Sequence, residues 1–274
     1  MRTPPVALTV AGSDSGGGAG IQADLATFAA LGVHGASAVT AVTVQDTRGV
    51  HAIHPVPSDV VVQQVAVVVS DLAPRATKTG MLGDAATASA LAILAADGLL
   101  PRLVVDPVLV STSGHALATH DVLAVMRDDL LPHAAVITPN TDEAAALLGC
   151  SPAASLRDQT DQARRLLELG CAAAVVTGGV DAGARLDVLA TPTDVQVMAG
   201  PGIDTRNDHG TGCTFAAAVA AGLAHGLTVD RAVTAARAFV RAALTESVQW
   251  RLGRGRGPVS HLAPSSTVPR GESV

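Results

Sequence analysis

Short runs of β-branched and apolar residues alternate along this chain with longer alanine-rich stretches whose apolar positions recur every three or four residues. The first kind reads as strands buried on both faces, the second as helices with one face on a core. Strands are predicted over Val6–Ala11, Ala36–Val44, Ala76–Thr79, Leu103–Val105, Ala134–Thr138 and Ala172–Thr177. Helices are predicted over Ala19–Leu31, Ser58–Asp71 (serine at the cap position), Ala85–Ala96, His120–Leu131, Asp142–Leu148 and Asp158–Leu169. Asp187–Ala190 and Val195–Met198 read as a hairpin, and helices over Thr214–Leu223 and Val229–Leu244 close the core. Strands of near-continuous apolar content alternating with helices imply an α/β fold with a mostly parallel sheet covered on both faces. No linker or repeat divides residues 1–274, so a single domain is expected, and residues 251–274, rich in Gly, Pro, Ser and Arg, are expected to fray.

Composition narrows the function. A net charge of −6 without charge runs, and 1% aromatic residues with no tyrosine, exclude a basic nucleic-acid face and base-stacking platforms. Cys150, Cys171 and Cys213 are odd in number and far apart, which argues against a disulfide framework or structural zinc and for a reducing, cytoplasmic setting. The nine histidines have no metal-ligand spacing. The chain has neither the long apolar region of a signal peptide nor an unbroken stretch of membrane-spanning length.

The chemistry-bearing residues fall just after the predicted strands: Gly12–Gly18, Gln45-Asp46, Gly80-Met81, Asp106-Pro107, Pro139-Asn140 and Gly178-Gly179. In a parallel sheet the carboxyl ends of the strands open on one side, so these dispersed residues are expected to line one crevice. The sharpest single stretch is His209–Phe215, where glycines flank a threonine and a cysteine opens an apolar helix. Unpaired N–H groups and the helix dipole make such a turn an anion site, and a thiol placed there is expected to be acidified. The run Gly16–Gly20 meets neither GxGxxG nor the P-loop pattern and is equally a flexible turn. Asn140–Glu143 has capping-box spacing, Asp24 suits the first turn of a helix, and Lys78, the only lysine, suits a solvated strand end. Asp106, an acid ending an apolar strand, has few structural reasons to be there.

Taken together, AGSDSGGGAGIQADL (11–25), TRGV (47–50), KTGML (78–82), VVDPV (104–108), TPNTDEA (138–144), HGTGCT (209–214) and GPVSH (257–261) resemble the hydroxymethylpyrimidine/phosphomethylpyrimidine kinases of thiamine biosynthesis. The resemblance runs from about Val6 to His261 and implies a ribokinase-like three-layer αβα sandwich. It implies phosphorylation of 4-amino-5-hydroxymethyl-2-methylpyrimidine, and of its monophosphate, by ATP with Mg²⁺. In residue terms it places the pyrimidine against Asp24, Gln45, Met81 and Gly12. The anion hole falls on Gly210, Thr211, Gly212 and Cys213, with Cys213 as proton acceptor. Mg²⁺ falls near Asp106 and Glu143, held mostly through water, and the nucleotide near Asn140, Thr177, Gly179 and Arg237. Thr177 stands where the family usually has lysine, and Arg237 replaces a lysine whose point-charge geometry an arginine does not reproduce. A homodimer is implied by the resemblance alone.

A pyridoxal or pyridoxamine kinase is the nearest alternative, and Gln45 argues against it because pyridoxal-type relatives replace that residue. A hydrolase using Cys213 as nucleophile with His209 lacks an evident third group. A non-catalytic pyrimidine sensor leaves the anion turn and Cys213 without a role. Ser111–Thr119, small and polar, is a candidate flap on composition.

Overall fold

A computed structural model describes residues 3–110, 114–115, 117–181 and 183–262. Strands β1 (Val6–Ser13), β2 (His34–Asp46), β3 (Gly49–Pro55), β4 (Ala76–Thr79), β5 (Val104–Val105), β6 (Val136–Ile137), β7 (Ala174–Asp181), β8 (Ala184–Ala190) and β9 (Val195–Pro201) form one sheet. Its order is β3-β2-β1-β4-β5-β6-β7-β8-β9. The pairings from β2 through β7 are parallel, while β3 on β2, β8 on β7 and β9 on β8 are antiparallel. The expected mostly parallel sheet is present, with antiparallel additions at both margins.

Helices α1 (Gly20–Ala30), α7 (Thr211–Ala224) and α8 (Val229–Ser247) cover one face. Helices α2 (Ser58–Leu72), α3 (Ala85–Ala96), α4 (His120–Val125), α5 (Thr141–Leu148) and α6 (Leu156–Leu167) cover the other. Two hydrophobic cores result, one on each side, and alternate residues of β1 feed them: Leu8 and Val10 on one side, Ala7 on the other. Helix α7, rich in alanine, is buried nearly all round, and Gly222 lets it close on Ala232, whose Cβ stands 2.9 Å from where a Gly222 side chain would begin.

Several expectations change in detail. Ser58 is the first helical residue, and Pro57 occupies the cap position. The helix expected over His120–Leu131 is helical only to Val125, then widens to a π turn and tightens to a 3₁₀ turn at Leu131–His133. Pro132 sits in that last turn and ends regular hydrogen bonding. Strand β3 pairs with β2 but follows too closely, and with too many histidines, to show a strand period. Residues 251–262 are tied to the body of the domain: Arg254 and Gly255 donate backbone N–H groups to Thr47 Oγ1 at 3.1 Å each, and Val259 donates to His209 O at 3.2 Å. The rest of that segment, and residues 111–113 and 116 of the Ser111–Thr119 flap candidate, lie outside the described residues.

Candidate active site

The carboxyl ends of β1, β2, β4, β5, β6 and β7 open into one cleft of about 1200 Å³. Gly12, Gln45 and Met81 line it, as do Asp106, Asn140, Glu143, Thr177, Arg237 and the turn Gly210–Cys213. The structure therefore brings together most of the residues that the sequence places at strand ends, as the topology of a parallel sheet requires.

Two predicted residues do not reach that space. Asp24 has no exposed surface; it accepts a 2.6 Å hydrogen bond from Thr9 Oγ1 and lies 2.9–3.0 Å from Lys78 Nζ, behind the cleft wall. Its predicted direct contact with a ligand is thus replaced by contact with Lys78. Gly179 is buried against Gln159, whose side-chain oxygen occupies the position a Cβ would take; the neighbouring Gly178, at φ 81°, faces the cleft instead.

Lys78 is the residue most misread from sequence. It is fully buried and not solvated, and its ammonium lies 3.5 Å from Asp106 Oδ2 as well as against Asp24. Burial opposes its charge, but Asp24 beside it, with Cys213 and Asp106, outweighs burial and holds it protonated. A single lysine after a strand carries no sequence signal of the two acids that enclose it.

The expected turn is present at the start of α7. Gly210 caps the helix at φ 81°, and the first backbone bond runs from Thr214 N to Gly210 O at 2.9 Å. The N–H groups of Gly212 and Cys213 precede that ladder, at the positive end of the helix dipole, and both residues line the cleft. A Cβ on Gly210 would fall on the carbonyl oxygen of Gly18, so the two glycine-rich turns are packed together. The thiol is not acidified. Burial pushes Cys213 up to about 12, with Asp106 and Asp24 adding to the rise and Lys78 opposing it. Removal from water outweighs the dipole here.

The run Gly16–Gly20 is folded around a buried carboxylate. Asp14 accepts N–H groups from Gly16, Gly18 and Ala19 at 2.8, 3.0 and 2.9 Å, and its Oδ2 lies 2.9 Å from His209 Nε2. Burial works against ionisation, yet His209 and these N–H groups bring the Asp14 carboxyl below the usual range. Gly18 leaves room for the imidazole: a Cβ there would stand 2.5 Å from His209 Cδ2. Only the bareness of the glycine run hinted at this packing.

The capping box is real and coexists with cleft lining. Asn140 Oδ1 accepts from Asp142 N and Glu143 N at 2.9 Å each, and Glu143 Oε2 accepts from Asn140 N at 2.9 Å. Burial, then repulsion from Asp106, pushes Glu143 up to about 8. Asp106 is raised by burial although Lys78 opposes, and its Oδ2 is buried without a hydrogen bond. A buried carboxylate oxygen that has no hydrogen bond, though it lies 3.5 Å from the Lys78 ammonium, beside a second acid reluctant to ionise, is a donor set that would suit a divalent cation. Among the described residues no group of three or more His, Cys, Asp or Glu side chains is placed to hold a metal ion, so phosphates and water would have to complete its shell.

Arg237 Nε donates to Asp187 Oδ2 at 2.8 Å at the far end of the cleft. Near the turn, His261 Nε2 lies 2.9 Å from Thr214 Oγ1, and burial pushes that imidazole down to about 4. Arg256 pairs with Asp208 at the rim.

The family model described as phosphomethylpyrimidine kinase matches residues 14–260. The hydroxymethylpyrimidine/phosphomethylpyrimidine kinase of Rhizobium meliloti is 48% identical over 94% of this chain and 97% of its own. The protein of the same name from Streptomyces coelicolor is 47% identical over 94% of this chain and 95% of its own. Among solved structures, Bacillus subtilis pyridoxal kinase in its ADP complex superposes with a TM-score of 0.88 at 36% identity, covering 95% of this chain and 98% of that one.

Proposed function

This chain belongs to the phosphomethylpyrimidine kinase family, and from that membership we propose the reaction it carries out. It is a phosphotransferase of thiamine biosynthesis that uses ATP. It phosphorylates the hydroxymethyl oxygen of 4-amino-5-hydroxymethyl-2-methylpyrimidine, and then the monophosphate to the pyrophosphate. The observation that carries this reading is one cleft in which Gln45 and Met81 stand at one end, Arg237 at the other, and the Gly210–Cys213 turn opens into the same space. A flat polar ring with a hydroxymethyl arm fits the first end, a nucleotide the second, and the transferring phosphoryl the turn.

Phosphoryl transfer asks mainly for positioning and for charge where the three equatorial oxygens develop it. The N–H groups at the start of α7 supply that charge without reorganisation. Cys213 helps relay the hydroxymethyl proton: burial keeps the thiol protonated at rest, so it gives up its own hydrogen to a phosphoryl oxygen or to water in the cleft as it takes the substrate's, and Lys78 opposes the burial that disfavours the thiolate. Lys78 and Asp24 hold the floor beneath it. Asp106 and Glu143 would hold Mg²⁺, which would supply neutralisation of the phosphate charge. Asn140, Thr177, Gly178 and Arg237 contact the nucleotide, with Gly178 in the place expected for Gly179.

The protein acts as a cytoplasmic homodimer. Its three cysteines are unpaired, no helix of the described residues is long and apolar enough to cross a membrane, and Val42 and Val44 expose apolar surface near the β2–β3 margin. Release of ADP is the test, with hydroxymethylpyrimidine, its monophosphate and pyridoxal offered in turn with Mg-ATP. Turnover of the pyrimidines is expected. Turnover of pyridoxal alone overturns the reading in favour of a pyridoxal kinase.

A further inference from the structure

The side chain of Gln45 lies between two neighbours whose hydrogens can be counted. Thr43 Oγ1 is 3.2 Å from the amide atom assigned as oxygen and 2.8 Å from the carbonyl oxygen of Ser13. A hydroxyl has one hydrogen and a carbonyl can only accept, so that hydrogen goes to Ser13, and Thr43 faces Gln45 as an acceptor. On the other side, His209 Nε2 is 3.3 Å from the atom assigned as the Gln45 nitrogen and 2.9 Å from Asp14 Oδ2. Asp14 is an ionised carboxylate and accepts only, so Nε2 of His209 must carry a hydrogen and has no lone pair to offer Gln45. This holds for neutral and protonated imidazole alike.

Thr43 therefore requires the amide turned over, with its NH₂ toward Thr43, and its oxygen then faces the His209 Nε2–H, which shares its one hydrogen between Asp14 at 2.9 Å and Gln45 at 3.3 Å. The exchange moves no other atom. We infer that Asp14 and His209 are positioning residues for substrate recognition: through Nε2–H they lock the Gln45 amide in the orientation that presents an acceptor on the Gly210–Cys213 side and a donor on the Thr43 side. The inference rests on the pyrimidine reading above.

The locked direction has a consequence for the reaction. Around the pyrimidine ring the order is ring nitrogen, amino-bearing carbon, hydroxymethyl-bearing carbon. The ring nitrogen takes the amide N–H on the Thr43 side, and the amino group gives its hydrogen to the amide oxygen on the His209 side. The hydroxymethyl group, next in order, then points toward the turn that follows His209. With the amide reversed, the same two bonds turn the ring over and point the hydroxymethyl group away. The loop Asp14–Gly18, shaped to hold one carboxylate and one imidazole, thus decides whether the hydroxymethyl oxygen meets the phosphoryl group.

The test joins a direct and a coupled measurement on the full chain. Long-range ¹H–¹⁵N spectra of the ligand-free protein with labelled histidine are expected to show His209 Nε2 protonated at neutral and mildly alkaline pH; an unprotonated Nε2 overturns the lock. Binding of hydroxymethylpyrimidine is then measured by calorimetry for wild type, H209A, Q45A and the double variant. H209A is expected to weaken binding roughly tenfold in the wild-type background and less than about threefold in the Q45A background, since a lost positioning bond is worth on the order of one hydrogen bond. Equal factors in both backgrounds overturn the inference. If wild type does not bind the pyrimidine at all, the substrate reading fails while the nitrogen spectrum still decides the amide; if H209A does not fold, the same spectrum decides.

Discussion

Lys78 Nζ stands 3.0 and 2.9 Å from the two carboxylate oxygens of Asp24, and neither side chain has any exposed surface. The pair ties α1 to β4 directly beneath the cleft. Asp106, 3.5 Å from the same ammonium, joins the end of β5 to it. A buried ion pair of this kind contributes less to net stability than to fixing which groups face one another, because both ions lose their hydration.

Removing one partner is costly for the same reason. K78M leaves Asp24 and Asp106 as uncompensated buried acids and is expected to lower unfolding free energy by about 3–5 kcal/mol. K78M/D24N, which also removes the stranded charge, is expected to recover part of that loss. Urea titrations of the two variants measure it; a double variant less stable than K78M contradicts the pairing.

Cys213 is held protonated, so it is expected to alkylate slowly despite lining the cleft. With Cys150 replaced by serine, modification of Cys213 by iodoacetamide at pH 8 should run at least about a hundredfold slower than that of an unperturbed thiol. C213A should lower kcat by about 10²-fold or more with KM for the pyrimidine within about threefold, the range expected of a lost proton acceptor. An unchanged kcat rejects the proton role and leaves the backbone turn as the working part.

His261 gives a stability change with pH whose direction is fixed. Its imidazole is pushed down to about 4 from 6.5, so the unfolded chain binds the proton first as pH falls. The neutral, buried ring therefore contributes fully above about pH 6.5, and that contribution is lost between 6.5 and 4. Thermal unfolding from pH 7 to 4 should fall more steeply for wild type than for H261Q. Parallel curves would show that His261 is not the titrating group.

Gly210 combines a positive φ with a neighbour where its Cβ would be, the Gly18 carbonyl. G210A is expected to cost roughly 1–3 kcal/mol of backbone strain and to displace the anion turn. Turnover should fall while the melting temperature drops by only a few degrees; full turnover would mean the turn tolerates the shift.

Arg237 is oriented by Asp187 at the nucleotide end. R237A should raise KM for ATP roughly tenfold with little change in kcat, the size of one charge-assisted hydrogen bond removed from ground and transition state alike. A fall in kcat at unchanged KM would place Arg237 with the transferring phosphoryl instead.

The periodicity of the chain by itself determined the strands β1, β2 and β4 to β7, most helices, and the gathering of Gly12, Gln45, Met81, Asp106, Asn140 and Cys213 at one sheet edge. Those features depend on residues within a turn or a strand of one another, and on the rule that parallel strands point the same way. Tertiary structure alone decided the partners. Lys78 read as a solvated strand end until β4 was seated beside β1, which brought Asp24 to it from 54 residues away. Asp14 and the glycines after it read as a flexible turn until His209 arrived from 195 residues on. Cys213 read as acidified because the helix dipole is a local effect, whereas the desolvation that overrides it comes from the whole packed site. Charge and hydrogen-bond partners follow from strand order and register, and those are set only when the sheet closes.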